Sequence, residues 1–501
     1  MKARNKLTIA ASLVLVLGAV GIAVAIDYGV YTPIEDVDIT YPVYAQIVFA
    51  GCDYTVTCTT STDEDCHQEG DEIIIDDDPV THTWSGPGTF SPGTGTSVTW
   101  TTPTATGRTT IHVVADDSPL ANDTAQSESV SVTVSNIIYV DQDATAGNDD
   151  GTTWANAFLD LQDALDAADS DCLQIWVAEG TYKPGTSRTD CFNLVDGVEL
   201  YGGFDPTVGD YEWSERDWVN NVTTLSGDIT GSDCYIIVLA SDVNAAIDGF
   251  VITKAQGVQG HAAMVIVPDG TVDVNHCVFK DSYCDFMGSG GIFISGAGQS
   301  TVNISNSIFN NCHTDWMGGA LFPFGSFTGE VDVTNCVFTG CDARWGGAVH
   351  QRSAADLTLT NCTFTKNNAS FDGGAIYNDG TLYVRNSILW GDTAGRYGDE
   401  IYVYAGTTSV TYSDVEGGYS GTGNINSDPD FVDDIDPDGT DDKLMTPDDG
   451  VSIESTSPCI DMGNNGYISE PYDIAGTTRK LDGDDDETAT VDMGAYEYDP
   501  S

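Results

Sequence analysis

Between Trp316 and Asn378 the chain writes one short phrase three times: "WMGGALF" from Trp316, "WGGAVH" from Trp345 and "FDGGAIYN" from Phe371. Gly318, Gly346 and Gly373 recur about every 28 residues. A second phrase keeps step: "NHCVF" from Asn275, "SNSIF" from Ser305, "TNCVF" from Thr334, "TNCTF" from Thr360 and "RNSIL" from Arg385. A period of about 25 to 30 residues marks a stacked repeat, because a unit so short cannot bury its apolar face alone.

Each unit opens on an alternating segment such as "LTLTNCTF", Leu357 to Phe364. Leu357 and Leu359 point one way and the intervening threonines the other, which is a strand signal. A turn, Gly-Gly-Ala and a second short strand follow, and no repeat has room for a helix. Short strands stacked in parallel describe a β-helix. Its rungs would lie about 4.8 Å apart, so equivalent residues form ladders. Glycine is needed where the backbones crowd a corner or take positive φ.

Gly-Gly-Ala-aliphatic with Phe-x-x-Asn, complete at Phe364 to Asn367, resembles the repeats of the polymorphic outer-membrane protein family. The resemblance runs from about Gly249 to Val415, and pectate-lyase-like β-helices share the shape. It implies surface exposure and adhesion. The expected fold class is all-β: an immunoglobulin-like β-sandwich, then a right-handed parallel β-helix with an N-terminal capping helix.

The domain reading follows the composition. Residues 1–25 read as an export signal: Lys2, Arg4 and Lys6 precede an apolar run from Leu7 to Val24, and Ala23-Val24-Ala25 fits a cleavage site. An uncleaved anchor is the alternative. Residues 27–136, with "THTWSGPGTF", "TSVTWTTP" and "SVSVTVSN", resemble an immunoglobulin-like domain of secreted bacterial proteins. Residues 138–425 form the β-helix. It opens on an amphipathic helix with Phe158, Leu161, Leu165 and Ala168 on one face, which would cap the first rung's open edge. Residues 426–501 are an acidic block, whose "SPCIDMG" and "VDMGAYEY" resemble the C-terminal part of secreted β-helix proteins.

The chain has 17 Lys and Arg against 78 Asp and Glu, a formal charge of -61. That excludes phosphate backbones and anionic membranes as partners. The expected partners are polysaccharides or cell-surface components, with no membrane insertion beyond the export signal. The charge favours neutral glycans, or anionic ones bridged by cations, and the acid itself reads as a solvated surface. Among the 13 cysteines, Cys277, Cys336 and Cys362 share a repeat position with Ser307 and Ser387. We read a buried thiol ladder there, with a Cys336–Cys362 disulfide as the alternative.

Asp434, Asp436, Asp438 and Asp442 alternate around Gly439, as carboxylates do in a calcium loop, although Met445 stands where the twelfth-place Glu belongs. Calcium is the one cofactor suggested, with a solvated acidic loop as the alternative. Trp316, Trp345 and Phe371 precede the glycine pair and form a candidate glycan platform, or pack as corner residues. No catalytic residues are assigned: a lyase or glycosidase would need a base and carboxylates converging across rungs. His350 and Arg352 could share a face. The sequence reads as a non-catalytic exported surface or matrix protein in adhesion, glycan binding or envelope structure. A secreted polysaccharide lyase or hydrolase is the alternative.

Overall fold

The computed structural model describes residues 137–500 except 146, 169–172, 208–211, 230, 259, 268 and 484–486; before residue 137 it describes strand segments and a few turn residues. The chain divides into two units. In the N-terminal unit Gly107–Asp116 pairs antiparallel with Thr81–Ser85 and Gln126–Ser135, and Ile47–Phe49 joins the latter in parallel. Asp53–Thr57, Ser97–Thr101 and Thr89–Ser91 form a second sheet, and Asp65–Glu69 with Glu72–Asp76 forms a hairpin. The export segment, residues 1–25, lies outside the described residues. A helix runs Leu161–Ala167 and buries Leu161, Ala164 and Leu165, while Phe158 and Ala168 of the expected face lie outside it.

The second unit is a parallel β-helix. One rung runs Thr328–Thr334, Val337–Thr339, Asp342–Trp345 and Val349–Ser353 before the next begins at Asp356–Thr360. These segments belong to four parallel sheets, called here first, second, corner and third in chain order. Inside, Phe279, Phe309, Phe338 and Phe364 stack with centroids 5.0, 4.8 and 4.5 Å apart and planes within 7°.

Both repeated phrases have a backbone cause. Asn306, Asn335, Asn361 and Asn386 turn the corner between the first and second sheets at φ 46–54°. Asparagine tolerates this left-handed region. The amides link rung to rung: Asn335 Nδ2 donates to Asn306 Oδ1 (3.0 Å) and Asn386 Nδ2 to Asn361 Oδ1 (3.3 Å). In Gly-Gly-Ala, the first glycine takes positive φ (66° at Gly346), and a Cβ on the second, Gly347, would lie 2.1 Å from the Gly374 carbonyl. Cys277, Ser307, Cys336, Cys362 and Ser387 occupy one buried column, each just before its second-sheet strand. Its cysteines are free thiols. Burial pushes Cys277 and Cys362 up to about 12.

The acidic C-terminal block overturns the expectation that the acid is all solvated surface. It folds back over the outer face of the second sheet. Met445, Val451, Ile474, Ala495 and Tyr496 cover Val278, Ile308 and Val337, and Ile453, Ile460 and Met493 cover Ile388. The asparagine corner holds it: Asn335 donates to the Tyr472 carbonyl (2.8 Å), Asn361 to that of Asp492 (3.1 Å), and Arg479 to Asn335 Oδ1 (2.7 Å). Asp449, Asp473, Asp492 and Glu497 are buried there, because the block's apolar residues cannot reach the sheet without carrying their acidic neighbours inside. Among the described residues no helix is long and apolar enough to cross a membrane.

Candidate functional site

The aromatic residues before each glycine pair form a corner column. Phe286, Trp316, Trp345 and Phe371 follow one another at 4.9, 5.2 and 5.4 Å, with interplanar angles of 53°, 82° and 45°. Trp316, Trp345 and Phe371 are therefore brought together, half-buried and tilted rather than coplanar. Arg344 lies 4.4 Å from the Trp345 ring and 4.2 Å from Phe371, and Arg396 lies 4.4 Å from the same Phe371 ring. Arg396 also pairs with Asp372 at 2.5 Å.

Beyond the corner, the outward column of the third sheet is Phe293, Phe322, His350, Tyr377 and Tyr402. Its early part is covered by Met317 and Phe324. It opens towards the last rungs, where Tyr397 and Tyr404 are 64% and 66% exposed. Tyr402 lies 5.3 Å from Tyr377 and 6.2 Å from Tyr397. His350 and Arg352 do alternate onto one face. His350, however, is 2% exposed between Phe322 and Tyr377, and burial, with Arg352 second, pushes its imidazole down to about 3. It is neutral and shielded, which unfits it for acid–base work near neutrality. Arg352 is exposed and pairs loosely with Asp379 (3.7 Å).

The corner sheet carries a polar ladder beside the rings. Register stacks Tyr283 on His313, His313 on Asp342, Asp342 on Asn368 and Asn368 on Thr393. His313 Nε2 lies 3.3 Å from Asp315 and its Nδ1 3.6 Å from Asp342. The Tyr283 hydroxyl donates to Asp315 (2.7 Å), and burial together with that bond pushes it up to about 12. Asn368 donates to Asp342 (3.1 Å), and Thr393 to Asn368 (3.0 Å). A half-exposed imidazole between two carboxylates can bind hydroxyl groups or move protons. The sequence reading missed this cluster and the tyrosines, since both need the register between rungs. The alternation of "IYVYAG" from Ile401 was the available clue for Tyr402 and Tyr404.

The aspartates of the calcium-type loop go different ways. Asp434 pairs with Lys366 (3.1 Å), while Asp436 shares a hydrogen bond with Asp438, which raises its carboxyl. Asp438 and Asp442 line a cavity of about 130 Å³ with Trp218, His276, Lys280 and Lys443. His276 there contacts Asp248 (3.3 Å), which also binds Arg216 (2.5 Å). Burial would raise the Asp248 carboxyl, but the His276 hydrogen bond and the Arg216 charge outweigh it and hold it low. Among the described residues no group of three or more His, Cys, Asp or Glu side chains is arranged to hold a metal ion.

A family model described as a right-handed β-helix region matches residues 219–389. No curated protein matches the sequence. Among solved structures, the crystal structure of pectate lyase Pel9A is 16% identical, with a TM-score of 0.33, over 72% of this chain and 96% of that one. The Yersinia enterocolitica family 28 exopolygalacturonase is 10% identical, with a TM-score of 0.19, over 77% and 96%. Neither figure bears on this chain's chemistry. With the family match and the register of the rungs, the fold is an all-β right-handed parallel β-helix with very little helix.

Proposed function

We propose that this is an exported, non-catalytic protein of the cell surface or matrix that binds polysaccharide along the corner sheet and the open end of the third sheet. The observation that carries this reading is the tyrosine cluster of exposed Tyr397 and Tyr404 around half-buried Tyr402, one rung beyond Phe371 of the ring corner and on the same solenoid as a ladder of hydrogen-bonding side chains. Rings present an apolar face with a polar edge, which suits sugar rings that are themselves apolar on one face and hydroxylated at the rim. The export signal at 1–25 and the immunoglobulin-like spacer at 27–136 belong to the same proposal. Binding to a panel of insoluble polysaccharides tests it. Tyr402→Ala with Tyr404→Ala should weaken retention about tenfold, or 1.4 kcal/mol. Unchanged retention would sink this placement of the site.

A second reading, polysaccharide hydrolysis or elimination, is favoured by His313 between Asp315 and Asp342. New reducing ends or unsaturated products that disappear in His313→Ala would replace the non-catalytic reading. Products that persist in His350→Ala and vanish in His313→Ala would place the chemistry on the corner sheet.

A further inference from the structure

We infer, on the reading just proposed, that the glycan this face accepts is uncharged and is recognised through its hydroxyl groups and ring faces, with polyuronates rejected. Each arginine near the rings already faces a carboxylate or an aromatic ring, Arg352 the most loosely. Arg396 is bound to Asp372 at 2.5 Å and lies over Phe371, and Arg352 is paired with Asp379. Arg344 rests against Trp345 and Phe371, and a guanidinium against ring faces offers less of its planar fork to an incoming carboxylate.

What the corner sheet leaves open is chiefly acceptors, because the Tyr283, Asn368 and Thr393 donors are spent within the ladder. Asp315 and Asp342 have side chains 58% and 36% exposed, on either side of His313. An ionised carboxylate only accepts hydrogen bonds, so it matches a sugar hydroxyl, which donates. A uronate carboxylate also only accepts. Set against Asp315 or Asp342 it meets like charge with no proton between them, at the surface of a chain whose formal charge is -61. A bridging divalent ion would relieve this, but no described group of three or more acidic, histidine or cysteine side chains is arranged to hold one.

The test uses the full chain with a chelator present. Affinity electrophoresis would compare β-glucan, xylan and galactomannan with polygalacturonate and alginate, at about 0.02 and 0.3 M salt. At least one neutral polysaccharide should bind with little salt dependence. Polygalacturonate should bind at least about tenfold more weakly at low salt. Asp315→Asn with Asp342→Asn replaces two exposed groups. It should weaken neutral binding and narrow the gap to polygalacturonate by about threefold or more. Wild-type protein that prefers polygalacturonate overturns the inference, and if that binding still falls in Tyr402→Ala with Tyr404→Ala, the binding face itself stands. Failure to bind any polysaccharide overturns both.

Discussion

The rung interior and the contact between the C-terminal block and the second sheet are both buried, yet they are filled with opposite chemistry. Between the sheets the filling is phenylalanine on phenylalanine, repeated because each rung meets another of its own kind. The block meets no copy of itself. It reaches the second sheet once, and four of its acidic residues go inside with it, among them Glu497 beside Arg479 (3.5 Å), Asp473 accepting from the Glu497 backbone (2.8 Å) and Asp449 under the Tyr496 hydroxyl; its Cys459 thiol donates to Asp414 of a rung strand (3.3 Å). Burial raises these carboxyls: Asp414 and Asp449 to about 6, Asp492 to about 7, and Glu497, with Asp492 beside it, to about 9. The last rung shares this chemistry. Glu400 stands where earlier rungs have Ala375 and Ala348, and Asp392 stands where they have Asn367 and Cys341. Burial holds both up: Asp392 at about 7, against the Glu400 hydrogen bond that lowers it, and Glu400, with the Asp392 charge beside it, at about 11. A buried region can thus be built either from groups that never carry charge or from groups that shed it by taking a proton.

The comparison can be broken from the rung side first. Phe338→Ala opens a cavity in the middle of the stack and should cost about 4 kcal/mol, read as a lower denaturant midpoint for the whole β-helix. An effect confined to one sheet would contradict the shared core. On the other side, Arg479→Met strands Glu497 beside Asp492. It should cost about 3 kcal/mol at pH 8 and clearly less at pH 5, where those carboxyls are protonated. Limited proteolysis should then release the block before the rungs, and simultaneous loss would show one cooperative unit.

Next comes pH itself. Carboxyls raised above their unfolded value of about 4 stabilise the fold fully below that value and lose the contribution as pH rises through their folded values. For Asp414, Asp449, Asp492 and Asp392 the window runs from about 4 to about 7. Asp248, held low, pulls the other way. The melting temperature should therefore be higher at pH 5 than at pH 8 by about 5 °C or more. Asp492→Asn with Glu497→Gln should flatten that slope, and a protein more stable at pH 8 would refute the account. The smallest effect concerns the loop at 434–442, for which calcium remains a proposal. Millimolar calcium should add about 1 kcal/mol, reversed by a chelator and absent in Asp434→Asn with Asp436→Asn. An equal shift in that variant would assign the effect to bulk screening.

Much of this contrast was hidden in the sequence, for particular reasons. Gly346, Gly347 and Asn361 were legible as motif positions because what they satisfy is local: a positive φ, a neighbouring carbonyl, a rung a fixed distance away. Tyr402 and Tyr404 were missed because the glycine phrase has decayed to "YGDEIY" by Tyr397, so the register was lost just where the face opens. His313 drew no notice because Asp342 reaches it only from the next rung. Asn361 and Asp492, or Asn335 and Arg479, meet across 131 and 144 residues.

By itself the sequence determined the repeat, the strand alternation, the corner residues and the thiol column, since all of these repeat from rung to rung and depend on nearest neighbours. Only the tertiary structure decided which acids are solvated and which are buried, that His350 is shielded while His313 is half-exposed, and which rings are open to solvent. Those outcomes depend on the dielectric surroundings and charges that distant parts of the chain bring to a residue, and no local pattern encodes them.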